Sequence, residues 1–255
     1  MTTWKLGDHS VHRIGFGAMR LDPATGVAVL RRAVELGVDH FDTAQFYGAA
    51  NELIREALSP YPSELLIATK VGPGTSAERG FYYATTAAEL RAQVEENLRV
   101  LGVEALDLVY LRVPDDSGSL ADQFAVLAAM REEGLIRHLG VSNVRTEQLR
   151  EAQGIAPVVC VQNSYSVNDP LIDLCATEEI AYVPFSSMVG PPSAAVQAVA
   201  DVHGVSPQQI RLAATLHRAP NILAIPGTGK LAHLEQNVAA GAVRLRPEEL
   251  ATLTD

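Results

Sequence analysis

Short apolar runs recur along this chain, separated by longer stretches whose apolar residues fall at i, i+3 and i+4. That alternation spells strand–helix units and a parallel sheet. The runs are Ile14 to Gly17, His40 to Asp42, Leu65 to Lys70, Leu106 to Arg112, His138 to Val141, Val158 to Gln162, Ala181 to Phe185 and Ile222 to Ile225, which makes eight. Helical periodicity is clearest over Val27 to Leu36, Leu90 to Leu101 and Leu120 to Glu133. Glycines at 37, 102 and 134 stand just past the last periodic residue of a helix, and Asp169 before Pro170 opens another. Eight such units form either a closed barrel or an open doubly wound sheet. They recur at roughly 25 to 35 residues without a domain-sized insert, which favours a closed (β/α)8 TIM barrel. Ahead of the first unit, Trp4 to Ile14 reads as a β-hairpin turning at Gly7-Asp8 and closing the barrel floor. Arg246 to Thr254 reads as a short terminal helix, and residues 1–255 as one domain.

Charge excludes several function classes. A formal net charge of -10 over 255 residues argues against nucleic acid or an anionic membrane as partner, since both require basic patches. No apolar run reaches the ~18 residues a membrane span needs. Met1 to Ser10 lacks the basic start and apolar stretch of a secretion signal, so a cytoplasmic protein is expected. Cys160 and Cys175 lie in apolar stretches and read as small buried side chains. The histidines show no metal-ligand spacing, and no metal is expected.

In barrels, functional groups sit at the C-terminal strand ends and in the loops that follow. Here that rule selects Asp42, Lys70, Arg112, Ser142, Asn143, Gln162, Asn163 and the turn Pro226-Gly227-Thr228. Lys70 is the sharpest clue, being one of only three lysines (Lys5, Lys70, Lys230) beside 17 arginines. It ends the run Leu65-Leu66-Ile67-Ala68-Thr69, and an ammonium there needs a carboxylate, which Asp42 can supply. Tyr47 follows Asp42 by five residues and can swing over the same mouth. A cation beside a phenol favours the ionised oxygen, giving a general acid for a carbonyl that receives hydride. A structural Asp–Lys pair with a packed tyrosine fits the spacing equally well.

The stretch His40-Phe41-Asp42-Thr43-Ala44-Gln45-Phe46-Tyr47-Gly48, followed by Asn51-Glu52, resembles the signature of the aldo-keto reductase superfamily. Ala68 to Gly72, Gly140 to Asn143, Val161 to Asn163 and Ile225 to Thr228 resemble further family segments, in family order over nearly the whole chain. The resemblance implies reduction of an aldehyde or ketone with NADP(H). It implies Tyr47 as proton donor, Lys70 as its activator and Asp42 orienting Lys70. Ser142, Asn143 and Gln162 would hold the nicotinamide carboxamide, and Phe185 would stack on the ring with Ser186 after it. Gly227, Thr228, Lys230, His233 and Asn237 would grip the adenosine phosphates. The segment Gly15 to Arg20 lacks the third glycine of a dinucleotide fingerprint, and Ala224 stands where a Walker loop needs glycine.

One departure is Arg112, which stands where the family carries a tetrad histidine. Arginine is permanently charged and presents five donors, so it either suits an anionic oxygen on the substrate or is drift in an enzyme whose main acid is Tyr47. Within the superfamily the chain resembles the bacterial pyridoxal reductase branch, and pyridoxal carries such an oxygen beside its aldehyde. Many relatives have arginine where His233 stands, for the 2′-phosphate; histidine there loosens the preference for NADP over NAD, unless Lys230 compensates. The short stretch Ser186 to Pro192 implies an open pocket with easy cofactor exchange, and a monomer or weak homo-oligomer is expected. Phe81, Tyr82 and Tyr83 either line the pocket or anchor their loop. Two other readings stay open here: an NADP(H)-binding sensor, and a non-redox cyclase or dehydratase.

Overall fold

The computed structural model describes residues 2–186 and 190–253. The chain starts with a hairpin, β1 (Thr3–Leu6) and β2 (His9–His12), turning through Gly7 at φ 64°. The sheet strands follow as β3 (Phe16–Gly17), β4 (His40–Asp42) and β5 (Leu66–Val71). A second hairpin, β6 (Pro73–Ser76) and β7 (Gly80–Tyr83), interrupts the strand–helix alternation. Then come β8 (Leu106–Arg112), β9 (Ile136–Ser142), β10 (Val158–Ser164) and β11 (Ala181–Phe185). Helices fill the connections: α1 (Gly26–Glu35), α2 (Ala50–Leu58), α3 (Ala87–Leu101), α4 (Ala121–Glu132), α5 (Thr146–Gln153) and α6 (Pro170–Thr177). Two more, α7 (Ala194–His203) and α8 (Pro207–Arg218), precede the last sheet segment, and α9 (Leu231–Ala239) and α10 (Pro247–Leu253) follow it.

The parallel sheet runs β11-β10-β9-β8-β5-β4-β3. Its two edges meet through the segment 222–224, where Tyr182 bridges Ile222 and Ile14 bridges Ala224. Four backbone bonds make that closure, among them Gly15 N to Ala224 O at 2.8 Å and Leu223 N to Tyr182 O at 2.9 Å. The eighth strand expected over Ile222 to Ile225 is therefore present as two bridges instead of a ladder. Pro220 and Pro226 bracket it, and neither has an N–H to extend the pairing. Ile14 likewise pairs only as a bridge ahead of β3.

Period-2 alternation decides which side chains fill the barrel. Leu66 and Ala68, Leu108 and Tyr110, Cys160, Ala181 and Val183, and Leu223 form an inner cluster, closed below by Leu6 and Val11 of the floor hairpin. The intervening residues, such as Ile67, Val109, Val141 and Tyr182, face outward into the helix layer. Two residues beyond the inner cluster, the next inward positions are Lys70, Arg112, Gln162 and Phe185. Apart from Phe185, the top layer of the barrel is thus polar where the layers beneath are apolar.

Helix punctuation follows local chemistry. Gly37, Gly102 and Gly134 all adopt the left-handed conformation, and Gly102 caps α3 through its N–H to Leu98 O. Thr86 and Glu89 form a capping box at the start of α3, and Asp169 caps α6 by accepting from Leu171 N. The terminal helix is one residue shorter at its start than expected, and the Thr254 it was expected to reach lies outside the described residues. Among the described residues no helix is long and apolar enough to cross a membrane.

Candidate active site

The register pairs β4 with β5 and β5 with β8, so Asp42 and Lys70 emerge side by side at the barrel mouth. Lys70 is 2% exposed and Asp42 4%. Lys70 Nζ donates to Asp42 Oδ1 at 2.6 Å and to Thr43 O at 3.0 Å. The second carboxylate oxygen, Oδ2, accepts from Gln162 Nε2 at 2.7 Å. Both charges are thus paired and hydrogen-bonded, which is the condition for keeping them out of water. Of the three ammonium hydrogens, two are taken, and the ring of Tyr47 lies 4.8 Å from Nζ.

Tyr47 belongs to the loop between β4 and α2, where its N–H donates to Ala44 O at 3.0 Å. Phe46 packs edge-on against it, with centroids 4.8 Å apart. Behind this loop runs a buried amide chain. Thr43 Oγ1 donates to Asn51 Oδ1 at 2.7 Å, Asn51 Nδ2 to Asn97 Oδ1 at 3.0 Å, and Thr69 Oγ1 to Asn97 Oδ1 at 2.7 Å. These bonds tie the ends of β4 and β5 to α2 and α3, so the residues flanking Asp42 and Lys70 share one rigid support.

Arg112 extends from the end of β8. Its guanidinium lies 4.9 Å above the ring of Phe185, and Nη1 reaches Ser142 Oγ at 3.4 Å. None of the carboxylates among the described residues pairs with it. Ser142 and Gln162 are buried at the ends of β9 and β10. Asn143 turns the chain at φ 64°, donating its N–H to Gln162 O at 3.0 Å. Its side-chain amide is spent on Val113 O at 2.8 Å and Asp115 Oδ1 at 2.6 Å. Asn163, also selected from the sequence, clasps the backbone of Val144 through both ends of its amide.

At the junction of the first and last barrel segments the backbones nearly touch. A Cβ on Gly17 would lie 2.6 Å from Ile225 O, and one on Gly227 would strike Gly17 O. Only glycine fits either place. The turn beyond leads into α9, whose N-cap, Lys230, provides no side-chain cap. Thr228 Oγ1 accepts from Lys230 N at 3.1 Å. Lys230 and His233 are exposed, while Asn237 is buried. The uncapped first turn of α9 keeps free N–H groups next to two basic side chains, an arrangement suited to phosphate.

These groups surround a cavity of about 360 Å³ at the strand ends. Asp42, Tyr47, Arg112, Gln162, Phe185, Ser186 and Gly227 line it, all expected from the sequence. Lys70 lies beneath, and Ser142 touches the wall through Arg112. Thr228, Lys230, His233 and Asn237 form a separate group at the start of α9, outside the lining. His233 makes no hydrogen bond or ion pair among the described residues. Sequence reasoning missed Met19, Arg20 and Phe46 in the lining, and the whole Thr43–Asn51–Asn97–Thr69 support. It left Phe81 and Tyr83 undecided, and both line the cavity, whereas Tyr82 stacks under Arg79 at 3.9 Å. The expectation of an open cofactor cleft falls in part on residues 187–189, which lie outside the described residues. Cys160, accepting from Tyr110 OH at 3.1 Å, and Cys175 are both buried, and burial pushes their thiols up, that of Cys175 to about 12. Neither is a nucleophile at neutral pH.

A profile of the Aldo/keto reductase family matches residues 3–191 and 192–255. Pyridoxine 4-dehydrogenase of Escherichia coli (strain K12) is 43% identical over 98% of this chain and 96% of its own length. An uncharacterised oxidoreductase of Schizosaccharomyces pombe is 37% identical over 99% of this chain and 89% of its own length. Among solved structures, a thermostable aldo-keto reductase in complex with the inhibitor epalrestat superposes with a TM-score of 0.85 at 27% identity, covering 100% of this chain and 99% of that one. An aldo-keto reductase from Klebsiella pneumoniae in complex with NADPH superposes with a TM-score of 0.84 at 25% identity, covering 99% and 93%. With the barrel, the family profile and a relative of this identity along its length in agreement, the chain belongs to the aldo/keto reductase family and is an NAD(P)H-dependent oxidoreductase.

Proposed function

We propose that the chain, acting as one unit over residues 1–255, reduces an aldehyde to an alcohol with NADPH, and that pyridoxal is its leading substrate. The observation that carries this reading is the contact of Tyr47 with the buried Lys70–Asp42 pair at the cavity wall. Asp42 holds Lys70, and Lys70 has one donor left for the phenol oxygen of Tyr47. Tyr47 then gives its proton to the carbonyl oxygen as that oxygen gains negative charge. When bound, the reduced nicotinamide supplies the hydride.

The cofactor fits the residues present. The close backbone approach of Gly17 and Gly227 and the uncapped start of α9 suit a dinucleotide laid across the strand ends. Ser142, Asn143 and Gln162 hold its carboxamide in this reading, Phe185 and Ser186 face its ring, and Thr228, Lys230, His233 and Asn237 take its phosphates. Gln162 turns its Nε2 to Asp42, and Asn143 spends its own on Val113 and Asp115. Their amide oxygens are therefore the groups left to accept from a carboxamide.

Arg112 supports a substrate with an anionic oxygen. It is a cation without a carboxylate partner, held over Phe185 beside Tyr47's cavity. The E. coli relative is named for pyridoxine, the alcohol of pyridoxal, and pyridoxal carries a phenolic oxygen next to its aldehyde. Purified protein with NADPH and pyridoxal, 4-nitrobenzaldehyde or buffer alone tests the reading by loss of NADPH absorbance. Both aldehydes are expected to turn over, with pyridoxal preferred, and Arg112→Ala is expected to shrink that preference by about tenfold or more, the worth of one charge-assisted hydrogen bond. Equal loss on both aldehydes would remove Arg112 from substrate recognition.

A further inference from the structure

The large apolar side chains are mostly buried, and Phe81 is an exception at 59% exposed. It stands on β7, in a hairpin whose position is secured without it. Gly72 N donates to Gln93 Oε1 at 2.8 Å, and Gln93 Nε2 returns bonds to Gly72 O and Pro73 O, each at 3.3 Å. Ala84 N closes on Gly72 O at 2.7 Å. Toward the tip, Arg79 pairs with Glu89 at 2.6 Å and lies over the ring of Tyr82. The hairpin is held by its backbone, its base and Tyr82, so the exposure of Phe81 serves no packing need.

Phe81 is instead the third member of an aromatic chain that starts at Tyr47 and ends at Tyr83. Phe46 meets Tyr47 edge-on, Phe81 meets Phe46 at 6.2 Å and 79°, and Tyr83 meets Phe81 at 5.5 Å and 89°. All four rings line the same cavity, and so does Met19, which is 67% exposed. A wall of ring faces and edges with a thioether is matched to a flat π-system, which it can meet in edge-to-face or offset contact. A polyhydroxylated chain needs donors and acceptors along its length, and these five side chains supply only the hydroxyls of Tyr47 and Tyr83. At about 360 Å³ the cavity is at the small end of ligand pockets, which favours a compact substrate.

We propose that Phe81, backed by Phe46 and Tyr83, is a specificity-determining residue that receives the planar ring of an aromatic aldehyde. The proposal rests on the reductase reading above and adds to it the wall that selects the substrate class. It acts on binding of the ring and leaves proton transfer from Tyr47 alone.

The test is steady-state kinetics at saturating NADPH with 4-nitrobenzaldehyde and with propanal, for the wild type and for Phe81→Ala, Phe81→Leu and Phe81→Tyr. In Phe81→Ala the KM for 4-nitrobenzaldehyde is expected to rise about tenfold, the size of one lost ring contact and its buried area, with kcat within about twofold. Propanal kinetics are expected to stay within about twofold in the same variant, because propanal has no ring to lose contact. Phe81→Tyr restores the wild-type KM, and Phe81→Leu, which returns apolar area without a ring, falls between. An equal rise for both aldehydes, or none for either, overturns the proposal. Should the wild type reduce neither these aldehydes nor pyridoxal, the reductase reading falls by itself. Calorimetric binding of 4-nitrobenzyl alcohol to the NADPH-loaded protein then tests the wall separately. Binding about tenfold weaker in Phe81→Ala sustains it, and equal affinity overturns it.

Discussion

Lys70 and Lys230 stand on the same strand-end face of the barrel and differ in nearly everything but charge. Lys70 is 2% exposed, with two oxygen acceptors and an aromatic ring around its ammonium. Lys230 is exposed at the head of α9, and its side chain makes no hydrogen bond or ion pair among the described residues. A buried ammonium is costly, so everything around Lys70 has to be built to hold it, down to the second oxygen of Asp42 on Gln162. An exposed ammonium costs almost nothing to keep, and only a ligand can give it work. The first region therefore has its partners built into the folded chain, and the second, in the proposed reading, gains them only from a cofactor phosphate.

The largest effect is expected in the first region. Lys70→Met leaves Asp42 buried without its cation, which costs about 3–5 kcal/mol of stability. It also removes the support of Tyr47, and kcat is expected to fall by about 10²–10⁴. Thermal melts and NADPH turnover measure the two losses, and a variant that keeps both would collapse the contrast between the lysines. A far smaller effect is expected at the other end. Lys230→Ala is expected to raise the KM for NADPH by about two- to fivefold while leaving that for NADH unchanged, with no shift in melting temperature. An equal change for both cofactors would take Lys230 off the 2′-phosphate.

The smallest effect lies at the barrel floor, where a charge is exposed but partnered. Asp8 Oδ1 meets His138 Nε2 at 2.7 Å and His9 Nδ1 at 2.9 Å. The bond to His138, with smaller help from His9 and the backbone, holds the Asp8 carboxyl down at about 2. A carboxyl depressed on folding stabilises the fold at pH above its ordinary value near 3.8, and that stabilisation is lost as pH falls toward 2. Acid unfolding of Asp8→Asn is therefore expected to show a slightly shallower loss of stability over that window than the wild type. Identical acid profiles would mean the floor hairpin gains nothing from this contact.

Much of this was legible in the chain because barrels confine polar strand ends to one face. Asp42, Lys70, Arg112 and Gln162 each close an apolar run, and period-2 alternation carries them inward together. The bond between Gln162 and Asp42 was not legible, since 120 residues separate the pair and only barrel closure brings them together. The support from Thr43, Asn51, Thr69 and Asn97 was hidden for a related reason. Asn51 and Asn97 sit within helical periods, where a polar residue reads as a surface position until its partners are known. The second hairpin escaped because Pro73-Gly74 and Gly80 read as loop, and neither of its strands is buried enough to show alternation. The ladder expected at the eighth position was shortened by Pro220 and Pro226, whose effect on pairing depends on which neighbours need their N–H groups.

In the proposed mechanism Tyr47 delivers the proton, with Lys70 and Asp42 behind it. The most direct measurement is single-turnover oxidation of NADPH by Tyr47→Phe with pyridoxal, beside NADPH binding followed by fluorescence. Removing only the hydroxyl keeps the ring contacts with Phe46 and Lys70. NADPH affinity is expected within about twofold of wild type, with a turnover rate lower by about 10² or more. A Tyr47→Phe variant that binds NADPH and still reduces pyridoxal at the wild-type rate would contradict that mechanism.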